Sequence, residues 1–151
     1  MGAITSYSRA LDKAIKKAYE SGLIMVAAAG NNGPGLGTVD YPAKFNEVIA
    51  VAATDENNAI TPFSSRGKEV DVAAPGTNIY STFNNGNYAT LSGTSMAAPH
   101  VTGAVALKLQ LDPGLTPMQI MDELKKTANY LPNATEEEQG AGLVDAYKYC
   151  K

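Results

Sequence analysis

The chain has 151 residues, is 44% hydrophobic and 18% charged, and carries a formal net charge of −3. That composition suits one globular domain and excludes a polybasic protein built for nucleic acid or an anionic membrane surface. The longest apolar runs, residues 23–29 and 104–107, are too short to cross a bilayer, so neither nucleic acid nor membrane is expected as a partner.

Residues 1–22 read as a polar start followed by an amphipathic helix, not as an export signal. Leu11, Ala14, Ile15, Ala18 and Tyr19 share one helical face, Lys13, Lys16, Lys17 and Glu20 the other, and Gly22 is placed to end the helix. Residues 23–29 then form an unalternating apolar strand, and residues 48–53 a second of the same kind. Strands without alternation are buried on both faces, which is the habit of a parallel sheet between helices. The loop between them, residues 30–47, has glycines at 30, 33, 35 and 37, and loops of that length are often functional. A short third strand is predicted over residues 69–73, closed by Pro75-Gly76. Residues 79–83 and 88–92 flank Asn84-Asn85-Gly86-Asn87 as a hairpin. Residues 95–111 are apolar nearly all round, which predicts a buried helix. Thr116-Pro117-Met118-Gln119 is a capping box with proline at the first helical position, leading a helix through Ile120, Met121, Leu124 and Ala128. Glu136-Glu137-Glu138 reads as a solvated turn, and a last helix is predicted over residues 144–149. The fold class is therefore α/β, with parallel strands and helices on both faces of the sheet.

The chemistry concentrates around Ser95. A serine opening a helix can be a simple N-cap. Here Gly93 permits a sharp turn just before it, Ala97 and Ala98 leave room for close approach, and Pro99 removes the N–H that would bond the Ser95 carbonyl. The helix start also offers free N–H groups and partial positive charge where an oxyanion could form. Ala97 stands where the nucleophile elbow of α/β-hydrolases has its second glycine, so that motif is excluded. Asn31, in Ala27-Ala28-Ala29-Gly30-Asn31-Asn32-Gly33, reads either as a turn residue or as an amide presented from a strand end into a cleft. The one cysteine, Cys150, has neither a disulfide partner nor a second histidine to activate it.

Gly93-Thr94-Ser95-Met96-Ala97-Ala98-Pro99-His100-Val101-Thr102-Gly103 resembles the nucleophile segment of the subtilisin-like serine peptidases, and the resemblance runs from Tyr7 to Tyr149. It implies that Ser95 is the nucleophile and that Asn31, with the Ser95 N–H, binds the oxyanion. It implies further that Ala28, Gly30, Asp40, Thr94 and Met96 face the substrate polypeptide. Asp40, in Thr38-Val39-Asp40-Tyr41-Pro42, would line the far wall of the pocket for the residue before the scissile bond, although a carboxylate there can equally cap its own loop. Tyr41-Pro42 matches a place where the family uses a cis bond. Glu69 and Asp71, with main-chain carbonyls of Ala43, Phe45 and Val48, resemble a weak site for Ca2+ or Na+; the same two residues also read as a solvated strand edge.

A serine nucleophile needs a separate histidine as base and an aspartate to orient it. His100 lies five residues after Ser95 in the same helix, so its ring is expected to point away, as a buried structural histidine. Asp12, Asp40 and Asp55 lack the family's aspartate context. The chain is therefore expected to be the C-terminal half of a peptidase domain, inactive alone and completed by an N-terminal half. Gly2 would be the last trace of the substrate-binding strand. Self-association is the rival role for such a half, and a complete small hydrolase of another class is a second rival. Secretion is expected from the resemblance alone.

Overall fold

The computed structural model describes residues 6–151; Gly2 lies outside them. Helix α1 (Arg9–Glu20) opens on Ser8, whose Oγ accepts from Leu11 N, and buries Ile15. It ends where Gly22, at φ +85°, donates to Tyr19 O at 2.9 Å and Leu23 N donates to Ala18 O at 3.0 Å. This paired closure explains why strand β1 (Met25–Ala28) starts two residues later than expected: Leu23 is still finishing the helix.

Strand β2 (Val48–Thr54) is buried at every residue. It pairs in parallel with β1, Met25 opposite Val48, and with β3 (Val72–Pro75), Val51 opposite Val72. The three form one sheet in the order β1-β2-β3. The period of two divides its side chains between two cores. Ala28, Ile49, Val51, Ala53, Val72 and Ala74 face helices α2 (Thr94–Leu111), α3 (Pro117–Thr127) and α5 (Ala146–Tyr149). Ala27, Ala50, Ala52 and Ala73 face the other way, onto Ile15 of α1, Val39 and Phe45. Both faces being covered accounts for the unalternating sequence. Because Ile49 is 1% exposed within the first core, Ile49→Ala should cost about 2–5 kcal/mol of stability, read as a lowered urea midpoint with an unchanged slope.

Three expectations need correction. The third strand begins at Val72, not at residue 69, because Val70 N donates back to Gly67 O at 3.1 Å and the Asp71 side chain caps Ala50 N at 2.8 Å. Extended ladder pairing starts only after that turn. Helix α2 is apolar on most sides but half covered: Ala97, Val101, Ala104 and Val105 are buried, whereas Thr102, Gly103, Ala106 and Leu107 are exposed. The last helix starts at Ala146, where Asp145 caps it by accepting from Lys148 N.

The hairpin β4 (Ile79–Thr82) and β5 (Tyr88–Leu91) pairs antiparallel, Ile79 opposite Leu91. A 3-10 turn over Asn84–Gly86 joins the strands, and Tyr80 stacks on Tyr88. Thr116 and Gln119 form the expected capping box of α3. The glutamate run is a four-residue helix, α4 (Glu136–Gln139), capped by Thr135.

Candidate active site

Ser95 stands in the first turn of α2, exposed, where the chain leaves Gly93. Gly93 has φ +154°, a conformation that a side chain makes costly, and its N–H donates to Gly76 O at 2.8 Å. The turn thus needs its glycine, and it aims the helix start outward. Of the first N–H groups, Thr94 N goes to Asn31 Oδ1 at 3.0 Å and Met96 N to Gly93 O at 2.9 Å. Among the described residues no acceptor takes the Ser95 N–H. It is a free donor beside its own hydroxyl, at the positive end of a helix of 18 residues.

Asn31 follows the end of β1. Its Oδ1 accepts both Thr94 N and Thr94 Oγ1, each at 3.0 Å. A backbone N–H can only donate, so the atom facing it is the amide oxygen, and Nδ2 faces the other way as a donor. Nδ2 lies 3.4 Å from where a Cβ on Gly93 would stand, which keeps it on the rim of the Ser95 turn. Thr94 is fully buried, and its Oγ1 also accepts from Gly30 N at 3.2 Å. One buried threonine therefore ties the end of β1, the amide of Asn31 and the start of α2 into a single unit.

Gly30 has φ +116°, and a Cβ there would sit 2.6 Å from Asp40 Oδ2 and 2.8 Å from Ser65 Oγ. Only glycine fits between them. Asp40 is 7% exposed; its Oδ2 accepts from Asn32 Nδ2 at 2.6 Å, and its N–H donates to Ala29 O at 2.8 Å. Ser65 Oγ accepts from Asn32 N at 3.1 Å. Asn32 and Ser65, which brace this loop from beneath, have no sequence signature. The Tyr41–Pro42 bond is cis.

Ala28 and Ser95 share a groove of about 730 Å3 with Val26, Ala98, Pro99 and Thr102. Met96 lies instead on a second cavity of about 370 Å3, toward the β4–β5 hairpin, with Tyr80, Phe83 and His100. His100 is exposed, not buried as expected, and its Nδ1 meets Met96 O at 2.9 Å. That nitrogen is committed to a carbonyl one turn back in its own helix, away from the Ser95 hydroxyl. The exposure follows from the open face of α2 on which the ring lies.

Ala43, Phe45, Val48, Glu69 and Asp71 line one cavity of about 270 Å3, together with Lys44, Lys68 and Lys125. Two carboxylates of a kind that could serve Ca2+ or Na+ thus border one cavity. Three lysines line the cavity with them. Asp71 Oδ1 lies 2.5 Å from Lys125 Nζ, and its Oδ2 accepts from Ala50 N at 2.8 Å. Both oxygens are already engaged, so the residues do not fit a metal ion well.

The family model described as the subtilase family, peptidase S8, matches residues 1–142. The chain is 48% identical over 141 residues to the minor extracellular protease Epr of Bacillus subtilis, covering 93% of this chain and 22% of that protein. It is 46% identical over 142 residues to subtilisin DY of Bacillus licheniformis and 44% identical over 141 residues to subtilisin Savinase of Lederbergia lenta, covering 93% of this chain and 51% of each relative. The chain therefore spans about half the length, or less, of these relatives. With the family match running through both the Asn31 loop and the Ser95 turn, the chain belongs to the subtilase family.

Proposed function

We propose that this chain carries the nucleophile and the oxyanion-binding half of a serine endopeptidase. The observation that carries the reading is the Thr94 clamp, which turns the Asn31 amide donor outward beside the free Ser95 N–H. Ser95 Oγ would attack the peptide carbonyl lying over the Ala28–Ser95 groove. The two donors would take the negative charge that develops on the carbonyl oxygen, and the acyl-enzyme would then be hydrolysed. The base and its orienting aspartate would come from an N-terminal half of the same domain. The exposed face of α2 and the edge position of β1 support that partner: both are apolar surfaces beside the nucleophile. Secretion is proposed from kinship to a protease named extracellular.

The test combines the chain with a subtilase N-terminal half bearing the aspartate and histidine segments. Peptide turnover and fluorophosphonate labelling should appear in the mixture and vanish with Ser95→Ala. The same open faces also favour a second reading, an inactive half that only self-associates or pairs. A stable complex with the N-terminal half that neither turns over peptide nor labels would select it.

Asp40 is proposed to set substrate preference. Its carboxylate stands behind Gly30, with one oxygen held by Asn32. A substrate Lys or Arg reaching it would gain a charge-assisted hydrogen bond of about 1.5–3 kcal/mol. Asp40→Asn in the completed enzyme should therefore lower the Lys-to-Phe preference by about 10-fold or more. An unchanged preference would assign Asp40 to holding the loop.

A further inference from the structure

The sequence resemblance implies a cation between the 43–48 loop and the entrance to β3, but a covalently attached cation already stands there. We infer that the Lys125 ammonium is the resident cation of this cavity, replacing a metal ion as the tie between α3, the start of β3 and the loop.

The argument rests on geometry and charge. Asp71 leads into β3 and is fixed on its inner side, where Oδ2 takes Ala50 N at 2.8 Å while its own N–H donates to Ala50 O at 3.0 Å. The other oxygen, Oδ1, meets Lys125 Nζ at 2.5 Å, and both residues line the cavity. The Asp71 side chain is 14% exposed and that of Lys125 39%, so the pair is sheltered at one end and open at the other. Glu69 turns its carboxylate toward Gly67, with Oε2 2.6 Å from where a Cβ on that glycine would stand. The lining then counts two carboxylates, Glu69 and Asp71, against three lysines, Lys44, Lys68 and Lys125. A divalent ion entering a pocket whose lysines already outnumber its carboxylates would have to displace Lys125 and give up its own hydration. Lysine loses part of its side-chain freedom on pairing but needs no free ion in solution.

The experiment is thermal unfolding of the full chain, alone and with its N-terminal half, in chelator and in millimolar Ca2+, Na+ or K+. Ionic strength is held constant. The unaltered protein should keep its midpoint within about 1 °C across all four conditions. Lys125→Gln should unfold lower in chelator and regain most of the loss in one of the cations, with saturation. Asp71→Asn/Lys125→Gln should not regain it. If Lys125→Gln proves too unstable to purify, Lys125→Arg, which keeps the charge, should behave like the unaltered protein. A saturating rise of the unaltered protein's midpoint with Ca2+, matched by calorimetric binding of Ca2+, would overturn the inference. So would a Lys125→Gln protein that is destabilised but blind to every cation.

Discussion

Ser95→Ala in the completed enzyme should lower turnover by about 10⁶; that size is subtilisin's own and is carried over by kinship rather than drawn from this geometry. The direction does follow from the geometry. The Ser95 hydroxyl sits in the first turn of α2 with a free N–H beside it, and the chain's only histidine is bonded to Met96 O. No group within the described residues is placed to take the hydroxyl proton. The chain without a complementary half should therefore be as inactive as the Ser95→Ala complex. Turnover of a chromogenic peptide measures both, and fluorophosphonate labelling separates them from loss of assembly. Brisk cleavage by the purified chain alone would sink the reading, since it would require a base that the described residues do not place near Ser95. Labelling without turnover would mean instead that the serine is activated but the substrate groove is incomplete.

What could be read from the sequence was local. The Gly22 stop of α1 and the capping box of α3 were legible because each is a contact between residues three apart. The unbroken apolar run of β2 announced its two covered faces. Ser95 and Asn31 stand out in the sequence because each sits in a contiguous motif whose glycines and alanines have a steric reason, and the fold sets the two motifs side by side through Thr94. What escaped was set by distant partners. Whether an apolar helix is covered depends on what lies against it, so α2 read as fully buried when one of its faces is open and His100 lies on that face. The third strand was placed early because residues 69–71 look extended, whereas Asp71 spends its side chain capping Ala50. Ser65 supports the Asn32 backbone across 33 positions of chain and belongs to no motif. Lys125 reads as one more basic residue near the end of a helix until the fold sets it against Asp71. Ala43, Phe45, Val48, Glu69 and Asp71 line one cavity, but the sequence could not show that three lysines would join them.

Asn31→Ala should cost about 10²–10³ in kcat with KM little changed, again a size known from subtilisin's own oxyanion asparagine. The reason lies in how the amide is held. Thr94 gives Asn31 Oδ1 two hydrogen bonds, so the outward donor is set before substrate arrives and needs no reorganisation as charge develops. A donor aimed at the position of the oxyanion stabilises the transition state more than the neutral carbonyl, which is why the loss should fall on kcat. Thr94→Val tests the aiming separately. It keeps the shape but removes one of the two hydrogen bonds to Oδ1 and the acceptor for Gly30 N. A single such bond is worth about 0.5–1.5 kcal/mol, so the expected loss in kcat is about 10-fold or less. Combining the two changes should add little to Asn31→Ala alone, because Thr94 acts here through the amide it holds. Equal thermal midpoints for the Asn31→Ala and unaltered complexes would exclude misfolding as the cause. If Asn31→Ala raised KM and left kcat intact, Asn31 would be binding the ground-state carbonyl, and the oxyanion role would have to pass to the Ser95 N–H alone.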